Sequence, residues 1–283
     1  ESKVYAIQGL RPYYPLSVLL EVASMARSTY FYHQKMQHSP DKYASIKKEL
    51  VRLFQSNKGR YGYRRMTLEL HKKGIRINHK TVLRLMVELG LKSVVRRRKR
   101  TVCNGEVYGV VPNQLKRNFH SNQPLTKLVT DVTEFHLLDK KVYFSPVMDL
   151  FNREIVSYSI TFNPNISMVR QMLEGLYTKA CPKGAVIHSD QGILYQSKWY
   201  QDSLSKHGFK QSMSRRGNCL DNAVIENFFG IVKTEFFYQR KFNSIQEFIC
   251  ELKEYINYYN YKRIKIKLDG LSPIKYRLTK FAS

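Results

Sequence analysis

The period of the hydrophobic residues changes partway along the chain, and that change prescribes two architectures in succession. Up to about residue 90 the apolar side chains recur at helical spacing: Val82, Leu85, Met86 and Leu89 follow i, i+3, i+4, i+7 and line one face. From Lys127 onward they come instead in short runs rich in Val, Thr, Tyr and Phe, separated by turn residues. The chain has 283 residues, room for about two cores, so an all-α region followed by an α/β region is expected.

In the helical region, Asp41 opens a helix carrying Ile46, Leu50, Val51 and Phe54, and a second spans 63–73 and stops at Gly74. The third starts with Asn78 as N-cap and ends at Gly90. A turn over 74–77 joins the last two, which predicts a helix-turn-helix. Residues 15–22 and 27–35, around Ala23-Ser24-Met25, read as another such pair. His33 and His38 are spaced somewhat like zinc ligands, but no CxxC follows, so they are read as surface or packing histidines.

The formal charge is +26, and it is unevenly spread: residues 1–120 hold 25 Lys+Arg against 7 Asp+Glu, residues 121–283 hold 23 against 15. A polyanionic partner follows, and double-stranded DNA fits best. Lys80 and Arg84 lie one turn apart on the polar face of the third helix, while Arg60, Arg64 and Arg65 lead into the second; all five are expected to contact DNA. The run Arg96-Arg97-Arg98-Lys99-Arg100 begins a stretch containing Gly105, Gly109, Pro112 and Pro124, so 96–123 reads as a basic linker. The expected domains are 1–40 (short helical), 41–95 (helix-turn-helix), 96–123 (linker), 124–240 (α/β core) and 241–283 (helical extension).

Other classes are disfavoured. No run approaches the roughly 18 apolar residues of a membrane span, and 43% hydrophobic residues are enough for packed cores. The cysteines at 103, 181, 219 and 250 form no paired spacing, which argues against a disulfide framework or zinc ribbon and for a reducing cytoplasm. No signal peptide is visible, and the first residue is Glu rather than Met, so the numbered chain reads as a piece of a longer product.

In the second region, strands are expected over 127–137, 141–150, 154–162, 184–188 and 209–213, and helices over 167–180, 197–207 and 222–237. That order implies a mixed sheet covered by helices, with reactive groups at strand ends. Asp131 lies inside the first apolar strand, where an unpaired charge is costly unless a cation is bound. Asp190 follows Ala185-Val186-Ile187-His188-Ser189 where a buried strand opens into Gln191-Gly192, and Glu226 sits in a helix whose apolar stripe is Ile225, Phe228, Phe229 and Val232. Three carboxylates from three elements suit a pair of hard divalent cations. Lys233, two turns past Glu226, is placed to hold DNA backbone, and Gly230 leaves that side open. Arg215 and Arg216, in the loop before this helix, are expected to meet phosphates, and Asp221 to be its N-cap. Asp149 reads as a turn former, and His188 as either a neighbour of Asp190 at the site or a packed core histidine. Tyr255, Tyr258 and Tyr259 fit a core helix better than a base-stacking surface.

Three segments carry a resemblance: Thr130-Asp131-Val132-Thr133-Glu134-Phe135; His188-Ser189-Asp190-Gln191-Gly192; and Ser214-Arg215-Arg216-Gly217-Asn218-Cys219-Leu220-Asp221-Asn222-Ala223-Val224-Ile225-Glu226-Asn227-Phe228-Phe229-Gly230 with Lys233-Thr234-Glu235. With Gly59-Arg60-Tyr61-Gly62-Tyr63-Arg64-Arg65, Tyr258-Tyr259-Asn260 and Leu271-Ser272-Pro273, nearly the whole chain resembles the OrfB-type transposases of bacterial insertion sequences. The resemblance implies a ribonuclease H-like DDE core of the retroviral-integrase superfamily. It implies cleavage and transfer of DNA strands at element ends, with Asp131, Asp190 and Glu226 as metal-binding triad for two Mg²⁺, Mn²⁺ substituting. It also implies a homo-oligomer on terminal inverted repeats and target DNA, and an upstream helix-turn-helix and coiled coil, fused or separate; no sustained heptads occur here. A DNA-binding regulator or inactive remnant, and a nuclease without transfer activity, are the rival readings.

Overall fold

The computed structural model describes residues 2–38, 41–94, 111–215 and 219–281. The basic run 96–100 that opens the expected linker, and Arg216, expected to meet a phosphate, lie outside the described residues.

Three helices, α1 (Ser2–Leu10), α2 (Leu16–Val22) and α3 (Arg27–His38), gather around Val4, Ile7, Leu20 and Tyr30. The next three, α4 (Ala44–Ser56), α5 (Tyr63–Lys72) and α6 (His79–Glu88), bury Leu50, Leu53, Met66, Leu70, Val82, Leu85 and Met86 against one another. Local chemistry explains the α5–α6 turn. Gly74 and Gly90 take φ of +79° and +67°, the left-handed conformation that ends a helix, and Asn78 accepts the Lys80 N–H at 2.8 Å. Asp41 lies outside the first turn of α4; it accepts the Tyr43 N–H at 2.8 Å and pairs with Lys47 at 2.7 Å.

The second region is a six-stranded mixed sheet. Its strands are β1 (Lys127–Thr130), β2 (Thr133–Leu137), β3 (Lys140–Asp149), β4 (Ile155–Thr161), β5 (Val186–Ser189) and β6 (Lys210–Met213). Strand β3 runs antiparallel to β4 and to β1 and β2, whereas β1–β5 and β5–β6 are parallel. The single strand expected over 127–137 is divided. Both parts keep one register against β3, from Leu128↔Asp149 to Leu137↔Lys140, and that register sets Asp131 opposite Pro146. Proline has no N–H to give the ladder, so pairing lapses at Asp131-Val132.

Alternation along the strands builds a core on each face. Leu128 and Val147 pack with Val169, Met172 and Leu173 of α7 (Ile166–Tyr177), and with Tyr195 of α8 (Ile193–Gln196) and Tyr200 of α9 (Lys198–Lys206). Val129 and Met148 face the other way. They join Ile225, Phe228 and Val232 of α10 (Ala223–Glu235) and Phe248, Tyr255 and Tyr259 of α11 (Ile245–Tyr261), which is followed by α12 (Pro273–Phe281). Residues 111–123, read as part of a linker, lie against this core. Leu115 is buried in it, and the Gln114 N–H donates to Ser212 Oγ at 2.8 Å.

Candidate active site

Two of the acids are brought together by strand register alone. Val129 pairs with His188 across the parallel β1–β5 ladder. Two residues on, Asp131 and Asp190 leave the carboxyl ends of these adjacent strands at the same level, where open α/β sheets collect ligands. Each carboxylate is fixed through one oxygen: Asp131 Oδ1 accepts the Val132 N–H at 2.7 Å, and Asp190 Oδ1 accepts the Gly192 N–H at 2.9 Å. A Cβ at position 192 would lie 2.9 Å from that same Oδ1, so any other residue there would displace the carboxylate.

The electrostatics mark a site short of positive charge. Burial, then the charge of Asp190 and that of Glu226, push the Asp131 carboxyl up to about 8, overcoming its backbone hydrogen bond. Burial also raises Asp190. Glu226 sits at the first turn of α10 with its side chain exposed, while Ile225, Phe228, Phe229 and Val232 are buried as their spacing demands. Among the described residues no three acidic, histidine or cysteine side chains form a closed metal-ligand set. Asp131 and Asp190 are the near pair, with Glu226 within electrostatic reach.

The loop before α10 is pinned to both strand ends. The Ser214 N–H donates to Ser189 O at 2.9 Å, Gln191 Nε2 to Ser214 O at 2.9 Å, and Asn222 Nδ2 to Thr130 O at 3.3 Å. Asp221 is not the N-cap of α10. It lies in a short 3-10 turn, Cys219–Asn222, and accepts hydrogen bonds from Arg215 and Arg117, which hold its carboxyl below the ordinary range. Asn222 occupies the cap position without a side-chain bond. His188 is a fully buried histidine whose Nδ1 meets Ser212 Oγ at 2.9 Å, and burial lowers its pKa to about 4. Asp149 forms a turn as expected, accepting the N–H of Leu125 and Phe151 at 2.9 and 3.0 Å.

The residues expected to meet DNA separate into two groups. Arg64, Lys80 and Arg84 are exposed, with Arg84 over the Tyr43 ring and Arg64 Nε on Tyr63 Oη. Lys233 is half-buried, its ammonium over the Phe135 ring at 5.7 Å; burial lowers its pKa, with Glu134 opposing. Arg215 is exposed but bonded to Asp221. Arg60 and Arg65 are corrections. Arg60 is buried between the rings of Tyr255 and Tyr258, 5.2 and 4.6 Å away, and its Nε donates to Glu235 O. Arg65 is largely buried and donates to Arg60 O. The partner they share is Glu235, on the last turn of α10. Burial raises its pKa, but the bidentate bond from Arg263, at 2.8 and 2.6 Å, its charge and that of Arg65, and the Tyr255 hydroxyl outweigh this and hold the carboxyl below its ordinary value.

Comparison with known proteins identifies the family. The family described as integrase core domain matches residues 121–219, a second integrase core description matches 226–281, and an HTH-like domain matches 41–99. The chain belongs to the insertion-sequence transposases, with an HTH-like region ahead of an integrase core. It is 50% identical to the putative transposase InsK of insertion element IS150 from Escherichia coli (strain K12), over 96% of each chain. It is 38% identical to a probable transposase of element IS1353 from Shigella flexneri, covering 98% of this chain and 54% of that one. Among solved structures it is similar to the catalytic core domain of HTLV-2 integrase in complex with magnesium, at 16% identity and TM-score 0.43, covering 55% of this chain and 98% of that one; at that distance the likeness bears on no residue.

Proposed function

We propose that Asp131, Asp190 and Glu226 are the catalytic acids of this transposase, holding two Mg²⁺ ions, replaceable by Mn²⁺, for cleavage at element ends and for strand transfer. The observation that carries this reading is the pair Asp131 and Asp190, level at the ends of adjacent parallel strands, with Glu226 adding a third negative charge. The donor set fits the ion. All three side chains offer hard carboxylate oxygens, and an acid raised to about 8 by burial and then by its acidic neighbours is relieved by a cation.

Bound there, Mg²⁺ supplies Lewis-acid activation of a water or DNA 3′-hydroxyl and stabilises the departing oxygen. The chain's own contribution is orientation. The Val132 and Gly192 N–H groups fix one oxygen of each aspartate, and the pinned loop before α10 sets the first turn that carries Glu226. No side chain need become covalently joined to DNA. Arg64, Lys80, Arg84, Lys233 and Arg215 are assigned to the phosphates of duplex DNA, the terminal repeats and target, on which copies of the chain assemble. Such a protein works in the bacterial cytoplasm, at the nucleoid.

Asp190→Asn tests the reading. Nicking and joining of an element-end oligonucleotide are expected to disappear while duplex binding stays near that of the wild type; a variant that still cleaves overturns the assignment.

A further inference from the structure

Asp221 is fully buried, yet both arginines it engages are on the surface, with 45% of the Arg117 side chain and 59% of Arg215 exposed. The carboxylate accepts from Asn113 Nδ2 at 2.9 Å, from Arg117 Nε at 2.9 Å, and from Arg215 N, Nε and Nη2 at 3.0, 2.9 and 3.1 Å. Arg263 offers a contrast. On Glu235 that guanidinium is itself only 3% exposed, as an arginine serving the interior must be. At Asp221 the acid is inside and the cations are outside, so one buried carboxylate braces two guanidiniums at the surface.

The place of this cluster is specific. Its loop is bonded at Ser214 to Ser189 and Gln191, which flank Asp190, and at Asn222 to Thr130, which precedes Asp131. Arg117 comes from the far side, on a segment that Asn113 and Gln114 fasten to the same corner of the sheet. Arg215 spends its Nε–Nη2 edge on Asp221; among the described residues nothing engages its Nη1 group, and the planar fork is already oriented when a second anion arrives. Pre-orientation matters because less side-chain freedom is lost on binding.

We infer that Arg117 and Arg215, braced by Asp221, form a seat for one DNA backbone phosphate beside the catalytic acids, with Asp221 as its positioning residue. The seat's place in the reaction rests on the reading of Asp131, Asp190 and Glu226 above; its capacity to hold a phosphate does not. It explains why an acid is retained in a loop that must meet a polyanion: without Asp221 two guanidiniums would repel each other and splay.

The test is equilibrium binding of the full chain to a fluorescent duplex carrying the element's terminal sequence, across a salt series. Copies of the duplex with a single neutral methylphosphonate, stepped through the cleavage region, complete the set. The Arg117→Ala/Arg215→Ala double variant is expected to bind about tenfold more weakly and to lose about one unit of salt slope, the share of one phosphate contact. One methylphosphonate position should weaken wild-type binding by a similar factor and leave the double variant unaffected. Asp221→Asn keeps both cations and removes what orients them; the slope should persist while joining at saturating DNA falls about tenfold. Should the double variant fail to fold, as read from its melting, Arg117→Gln and Arg215→Gln are measured singly, since each keeps donors for Asp221. A folded variant with unchanged slope and an unchanged methylphosphonate pattern overturns the seat. Asp190→Asn serves as the control: it should bind with wild-type slope, so if it still cleaves, the reading of the acids fails and the seat stands.

Discussion

Two groups of acids enclosed by the integrase core have opposite surroundings. At the ends of β1 and β5, Asp131 lies within reach of the charges of Asp190 and Glu226; among the described residues no arginine or lysine shifts either aspartate, and both carboxyls are raised. At the end of α10, Glu235 lies against Arg263, Arg65 and the hydroxyl of Tyr255, and its carboxyl is lowered. The same type of group is left wanting a cation in one place and is fully matched in the other. An acid that folding leaves unsatisfied is available for a ligand, whereas one that folding satisfies is a joint.

Four measurements can break or sharpen this contrast. The largest effect is expected at the strand-end acids: Glu226→Gln, or removal of divalent metal by a chelator, should lower strand cleavage on the order of a thousandfold or more, read as nicked product per unit time. Next comes the joint. Glu235→Gln leaves the Arg263 charge buried without its counter-ion and should cost about 3–5 kcal/mol of stability, visible in chemical unfolding.

A smaller effect concerns pH. Because the folded protein raises Asp131 from 3.8 to about 8, it holds a proton that the unfolded chain releases, and stability in metal-free buffer falls as pH rises through that interval. Asp131→Asn should remove this decline and melt a few degrees higher than wild type at pH 8. Added Mg²⁺ should raise the melting temperature of the wild type and not that of the variant. The smallest effect separates surface from interior: Lys80→Ala and Arg84→Ala should each reduce the salt slope of duplex binding by about one, whereas Arg60→Ala should lower stability and leave the slope alone.

What the amino-acid order revealed and what it hid follow from the range of the forces involved. Asn78 and Gly90 bound their helix through contacts a few residues long, and the stripe of Ile225, Phe228, Phe229 and Val232 needs only helical geometry to be buried. Asp131 and Asp190 stood out because a charge in or at the end of an apolar strand conflicts with its neighbours. Arg60 and Arg65 misled because their partners come from far along the chain: Glu235, 175 residues after Arg60, pairs with both, and Tyr255 and Tyr258, later still, enclose Arg60. Asp221 misled for a related reason. Its position just before a helix satisfies the local rule for an N-cap, while Arg117, 104 residues earlier, helps draw it elsewhere. The interruption at Asp131 required knowledge of the partner strand, since the cause is Pro146.

The contacts around Tyr61 bear on how such proteins can be recombined. Its hydroxyl accepts the Ile264 N–H at 3.0 Å and donates to Lys262 O at 3.3 Å, and Ile264 is one of the side chains that complete the core of α4, α5 and α6. Nearby, Lys72 Nζ donates to Gly270 O at 2.7 Å, and a Cβ at Gly270 would come within 3.3 Å of Leu68. The helices proposed to meet DNA are therefore walled on one side by the far end of the chain. A chimera that takes residues 41–94 from a relative has to take 262–271 with them, so the unit proposed for DNA recognition is two segments separated by the integrase core.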